Sequence, residues 1–144
     1  MLGFIIALVS GALMSIQGVF NTEVTKQSST WTTSTFVQAT GFLACLIIWF
    51  VIEKDQSFTM LLKVSPKYLL LGGMIGAAIT FTVIKSIESL GPAQSAMLIV
   101  ASQSVISYLI EVFGLFGVEK TGFAWIKLLG VVLFVAGLLI FKWK

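Results

Sequence analysis

Three polar residues that could act on a solute recur at four-residue spacing in an apolar stretch, at Gln103, Ser107 and Glu111. Residues four apart share one side of an α-helix, so the amide, the hydroxyl and the carboxylate are expected along one stripe. The amide and the hydroxyl can hydrogen-bond a polar solute, and the carboxylate can bind a cation or carry a proton. We expect the helix that carries this stripe to end at Gly114 and Gly117.

The composition places this stripe in a membrane. Of the 144 residues, 58% are hydrophobic and 10% are charged, whereas soluble domains have about a quarter charged residues. The chain is therefore predicted to be a single membrane domain, residues 1–144, whose main surroundings are the lipid bilayer. Its nine basic residues are all lysines that stand singly between apolar runs. They do not form a phosphate-binding patch, so we expect no nucleic-acid partner.

Five apolar segments have the length of about 20 residues that a helix needs to cross a bilayer. They are residues 2–22, 31–52, 68–87, 93–114 and 125–142. Helices are expected because lipid offers no hydrogen-bond partner to free backbone groups. Trp31 and Trp49 lie near the two ends of the second segment, and Trp125 and Trp143 near those of the fifth, which suits membrane interfaces. The sequence thus predicts an all-α integral membrane protein with five transmembrane helices.

Further polar side chains lie inside these segments. Gln17 and Asn21 share a side of the first, Gln38 lies in the second, and Gln103 lies at the middle of the fourth. Polar groups at such depth need a partner or water. Bonding between neighbouring helices and the lining of a solute pathway are both open explanations. Glu111 lies near a segment end, where it is either a solvated interfacial carboxylate or, if apolar neighbours exclude water, a proton carrier or cation site.

Small residues predict where helices approach closely. In three segments, glycines recur at spacings that allow tight helix packing in lipid: Gly3 and Gly11, Gly72 and Gly76, and Gly130 and Gly137. Packing within one chain and packing between two chains explain this pattern equally well.

The lysines favour neither orientation in the membrane. With five spans, one side carries five of them (Lys54, Lys63, Lys67, Lys120 and Lys127) and the other carries four (Lys26, Lys85, Lys142 and Lys144). Because the lysine imbalance sets orientation, such a chain could insert both ways and pair with itself as an antiparallel homodimer. The alternative is that the three lysines of the loop 53–67 fix that side in the cytoplasm.

The sequence shows no set of residues for catalysis or for a cofactor. It has no His, no Gly-rich phosphate loop and no clustered metal ligands. Cys45 is the single cysteine, so there is no disulfide framework. We therefore expect neither an enzyme nor a bound cofactor or metal.

Several stretches carry a family resemblance: GALMSIQGVFN with Gln17 and Asn21, then Gln103, EVFGLFG at 111–117 and LLGVVLFVAG at 128–137. In these stretches the chain resembles the YdcZ-like proteins, small bacterial proteins described as inner-membrane exporters of the drug/metabolite transporter superfamily. The family usually has Asp where Glu111 stands and often a basic residue where Lys127 stands, and both changes keep the charge. The resemblance implies a five-helix half-transporter that forms dimers, in some members as antiparallel copies of one chain.

The polar residues and the resemblance together favour a small transporter in the bacterial inner membrane. Two chains would enclose a polar cavity lined by Gln17, Asn21, Gln38, Gln103 and Ser107, with Glu111 as a titratable gate or coupling group. A neutral or zwitterionic solute is expected rather than a drug cation, because Met14 and Gln17 occupy the region where small multidrug exporters carry a carboxylate. Two alternatives remain open, a narrow ion or solute channel and a non-transporting assembly subunit.

Overall fold

The fold is entirely helical throughout the part of the chain that the computed structural model describes, residues 1–53 and 57–142. Six α-helices follow one another: α1 Leu2–Lys26, α2 Thr30–Ile52, α3 Thr59–Leu62, α4 Gly72–Leu90, α5 Pro92–Phe113 and α6 Trp125–Lys142. Short 3-10 helices, Lys67–Leu71 and Leu115–Gly117, precede α4 and follow α5. The prediction of an all-α membrane protein is confirmed.

Within the described residues, four helical stretches are long and apolar enough to cross a membrane: Leu2–Lys26, Thr30–Ile52, Lys67–Leu90 and Pro92–Phe113. They correspond to the first four predicted segments. The fifth segment forms α6, and within the described residues its stretch Trp125–Gly137 is an apolar helix shorter than the other four. A fifth crossing therefore stays a prediction. Trp143, Lys54 and Lys144, which entered the sequence predictions, lie outside the described residues.

The chain divides into two compact units, Met1–Ser89 and Leu90–Lys144. The first contains α1 to α4, apart from Leu90 at the end of α4, and the second contains α5 and α6. The predicted single domain of residues 1–144 stays a prediction.

Among the described side chains of the first unit, most of the buried ones are polar. Thr33 is only 1% exposed, and its hydroxyl lies 3.0 Å from those of both Thr25 and Ser28, which joins the end of α1 to the start of α2. Thr25 also donates to the carbonyl of Asn21, one turn earlier in α1. Because lipid supplies no hydrophobic drive between helices, such hydrogen bonds and close packing hold the two helices together. The other buried polar residues of this unit are Asn21, Thr22, Thr30 and Ser34.

Helix α4 packs on α1 at Gly18, which was not among the predicted packing glycines. A Cβ built on Gly18 would lie 2.8 Å from Ile87 Cδ1 and 3.2 Å from Val83 Cγ1. Beside Gly3, Gly11, Gly72, Gly130 and Gly137, no described atom lies within 4 Å of an added Cβ, and Gly76 has only ordinary contact with Gln38. The packing role of those six glycines stays a prediction. Space for packing against another helix remains open beside five of them.

We expect Gly18→Val to destabilise the first unit by about 1–3 kcal/mol, because the added methyl groups overpack the contact with Ile87 and Val83. The measurement is the free energy of unfolding in detergent micelles. Gly41→Val is the matched control, since Gly41 lies inside α2 with no described atom within 4 Å of an added Cβ. Equal losses in the two variants would show that Gly18 has no special packing role.

The second unit is a helical hairpin whose turn depends on glycine. Helix α5 ends at Gly114, which has a left-handed backbone with φ of 66° and donates its N–H to the Ile110 carbonyl. Thr121 donates its backbone N–H to the Glu111 carbonyl at 2.9 Å, which closes the loop onto the helix end. Phe116 and Gly117 are also left-handed. The sequence EVFGLFG thus forms the end of α5 and the turn that returns the chain toward α6.

Candidate functional site: an ion pair in the α5–α6 hairpin

The hairpin carries an ion pair between its two helices. Lys127 Nζ lies 3.0 Å from Glu111 Oε2, and the two side chains are 47% and 43% exposed, respectively. Glu111 lies in the last turn of α5 and Lys127 in the first turn of α6. A helix dipole disfavours negative charge at its C-terminal end and positive charge at its N-terminal end. Each charge therefore stands at the helix end that disfavours it, and helix stability does not explain the pair.

Tyr108 holds the start of α6 in place beside this pair. Its hydroxyl accepts the backbone N–H of Ala124 at 2.8 Å and lies 3.2 Å from the Ala124 carbonyl, to which it donates. Ala124 immediately precedes α6, so these two bonds set where Lys127 lies one turn later. Lys127 Nζ is also 5.3 Å from the centre of the Tyr108 ring, within the range of a cation–π contact.

A groove of about 420 Å³ runs along the hairpin beside the ion pair. Its walls combine the two charges with the Tyr108 ring, two hydroxyls and several small or apolar side chains. The lining residues are Ala101, Ser104, Ser107, Tyr108, Glu111, Lys127, Gly130, Val131 and Phe134. Such a surface can hydrogen-bond a small polar solute at one place and contact its apolar part at another.

The family model described as "Putative inner membrane exporter, YdcZ" matches residues 2–140. The chain belongs to the YdcZ family. No curated protein and no solved structure matches it. The resemblance seen in the sequence is thereby confirmed, and the chain is a multi-pass protein of the inner membrane. A membrane transporter is the function class that the family supports, rather than an enzyme.

The structure of this YdcZ-family chain brings together only part of the predicted site. Ser107 and Glu111 line the groove, whereas the exposed Gln103 does not. At about 100° per residue, eight positions turn Gln103 about 80° away from Glu111, while seven positions leave Ser104 within about 20° of it. Ser104 therefore takes the place on this side of α5 that four-residue spacing assigned to Gln103.

The remaining predicted pathway residues lie in the first unit. Gln17 and Gln38 are exposed, and Asn21 is buried near the end of α1. Their membership of one pathway with Ser107 and Glu111 stays a prediction. Among the described residues, no group of three or more His, Cys, Asp or Glu could hold a metal ion.

Lys127 and Tyr108 are site residues that the sequence predictions missed. The sequence indicates a lysine that flanks the membrane at Lys127, a position where the resembling family often has a basic residue. A signal for its role was present, because consecutive helices joined by a short loop place the end of one beside the start of the next. Glu111 and Lys127 occupy those two positions, and Tyr108 lies one helical turn before Glu111.

Proposed function

We propose that this chain exports a small polar or zwitterionic solute and works as an antiparallel homodimer by alternating access. The observation that carries the proposal is the ion pair of Glu111 and Lys127 on the wall of the groove. A pair this exposed typically stabilises a fold by only about 0–1 kcal/mol. The two charges contribute little to the stability of the fold, and they stand at unfavourable helix ends beside a groove. Binding of a solute explains them best.

The charges of the groove favour a solute with no net charge. The carboxylate of Glu111 and the ammonium of Lys127 cancel each other, so neither a simple cation nor a simple anion finds an excess of opposite charge. The Ser107 hydroxyl adds a neutral hydrogen-bonding partner. The Ser104 hydroxyl donates to the Val100 carbonyl at 2.8 Å and can still accept a hydrogen bond from a solute. This balance supports a polar or zwitterionic solute over a drug cation.

Exposed amides support the pairing of two chains. The side chains of Gln17, Gln38 and Gln103 are exposed on apolar helices, where contact with lipid would leave their amides without hydrogen bonds. A second copy or a water-filled pathway would satisfy them. The open space beside Gly3 and Gly11 allows a second helix to approach closely.

Coupling to protons would act through Glu111. Protonation of its carboxylate ends the attraction to Lys127. A bound proton and the ion pair of Glu111 with Lys127 therefore cannot be present at the same time. If the solute binds the intact pair, proton and solute compete for one site, which is the basis of exchange transport. The efflux of solute would then be driven by the entry of protons.

Insertion in both orientations is the first testable consequence. We expect Trp143→Cys, in a Cys45→Ser background that keeps all nine lysines, to be labelled by a membrane-impermeant thiol reagent from both sides of the membrane, because the five-to-four lysine count barely favours one side. Two control variants have a clear lysine imbalance and are expected to give single and opposite orientations. Replacing Lys54, Lys63 and Lys67 with Gln leaves two lysines against four, and Ser57→Lys with Ser65→Lys gives seven against four. Labelling of the parent variant from one side alone would contradict the antiparallel homodimer.

A further inference from the structure

We infer that the groove selects zwitterions whose ammonium and carboxylate are carried by one carbon atom, that is, small α-amino acids. This rests on the proposed function and names the substrate class of the same groove. The observation that carries it is the separation of 3.0 Å between Lys127 Nζ and Glu111 Oε2.

The charge spacing of an α-amino acid matches this pair. Bond lengths of about 1.5 Å from N to Cα and from Cα to C, with about 1.2 Å from C to O, place the ammonium nitrogen about 3 Å from the nearer carboxylate oxygen. A solute lying head to tail beside the pair sets its ammonium against Glu111 and its carboxylate against Lys127. All four charges then have an opposite neighbour, and the protein pair does not need to separate.

A longer zwitterion cannot make both contacts so easily. In an extended γ-amino acid the ammonium nitrogen and the carboxylate carbon are about 5 Å apart. It must fold its chain to match the 3.0 Å pair, which restricts several rotatable bonds. Otherwise one of its charges is left without an opposite partner in the groove.

The rest of the groove indicates the side chain that the amino acid carries. Ala101, Val131 and Phe134 provide an apolar wall, and the cavity of about 420 Å³ suits a small solute. No described charged residue other than Glu111 and Lys127 lines the groove. The expected substrates are therefore α-amino acids with small, uncharged side chains.

Two isomers of aminobutyrate test this inference, because 2-aminobutyrate and 4-aminobutyrate have the same atoms and charges and differ in charge spacing. We expect reconstituted protein to exchange radiolabelled 2-aminobutyrate at least about tenfold faster than 4-aminobutyrate. Glu111→Gln and Lys127→Met are each expected to reduce the exchange of 2-aminobutyrate to the level of protein-free vesicles. Glu88→Gln is the matched control, since it removes the ion pair with Lys85 on α4, a pair that is not part of the groove, and should leave the exchange unchanged.

The inference and the proposed function fail in different ways. Equal rates for the two isomers, or exchange that survives both groove variants, would overturn the inference and leave an exporter of other solutes. If neither isomer moves but choline, acetate or glucose does, the inference is likewise overturned. If none of these solutes moves in vesicles that contain both orientations of folded protein, the proposed function is overturned as well.

Discussion

Exchanging the two groove charges, Glu111→Lys with Lys127→Glu, is expected to recover most of the transport that either single change removes. Each single change sets two like charges beside each other and lowers transport by at least about tenfold. The double variant restores an ion pair, which a zwitterion can bind with the positions of its ammonium and carboxylate exchanged. We expect its transport rate to come within about fivefold of that of the native protein, because hydrogen bonds to Ser104 and Ser107 do not reverse with the charges.

The same double variant separates transport from stability. Its Lys would stand at the C-terminal end of α5 and its Glu at the N-terminal end of α6, where helix dipoles favour them by about 0.3–1 kcal/mol each. We therefore expect a free energy of unfolding in detergent at least equal to that of the native protein. The exchange of charges in the Lys85–Glu88 pair serves as the control and should leave transport unchanged. A double variant that is less stable than the native protein and transports nothing would indicate a structural role for the native pair.

Gly114→Ala is expected to destabilise the second unit by about 1–3 kcal/mol and to weaken transport with it. Left-handed backbone is unfavourable for a residue with a Cβ by about 1–2 kcal/mol. The added Cβ would also lie 3.1 Å from Lys120 Cβ and 3.4 Å from the Val118 carbonyl oxygen. Displacement of this turn moves the start of α6, and with it Lys127, away from Glu111.

Gly122→Ala is the matched control for this turn. Gly122 lies in the same connection between α5 and α6, has no described atom within 4 Å of an added Cβ and lacks a left-handed backbone. Chemical unfolding in detergent measures both variants. If the two variants lose equal stability, the connection has no special requirement for glycine at position 114.

The elements that the sequence predicts best are those that follow from local periodicity and length. Apolar runs of about 20 residues identified the long helices. Helical spacing also brought Ser107 and Glu111 to one side of α5. The same spacing failed for Gln103, because four-residue steps drift around a helix that has about 3.6 residues per turn.

What the sequence could not predict are the contacts between elements. Consecutive helices indicate that Glu111 and Lys127 could lie near each other, but their direct contact depends on how the turn at Gly114 returns the chain. The left-handed Phe116 in that turn has no simple sequence signature. The close approach at Gly18 likewise depends on where α4 crosses α1. Small residues mark many positions where helices could meet, and only the fold decides which of them do.

In the first unit, polar side chains stabilise the contact between α1 and α2, because hydroxyl groups at the end of α1 and the start of α2 contact one another. In a soluble protein, an apolar substitution in the interior usually preserves stability. Burying a polar group without a hydrogen bond lowers it. Here Thr25, Ser28 and Thr33 link the two helices, and valine in place of a threonine would keep the shape and remove the link. The outward-facing leucines and isoleucines can be exchanged for one another with little consequence, because lipid accepts any of them. Substitutions between apolar residues on the exterior of the first unit are therefore tolerated, whereas substitutions that remove its linking hydroxyl groups are not.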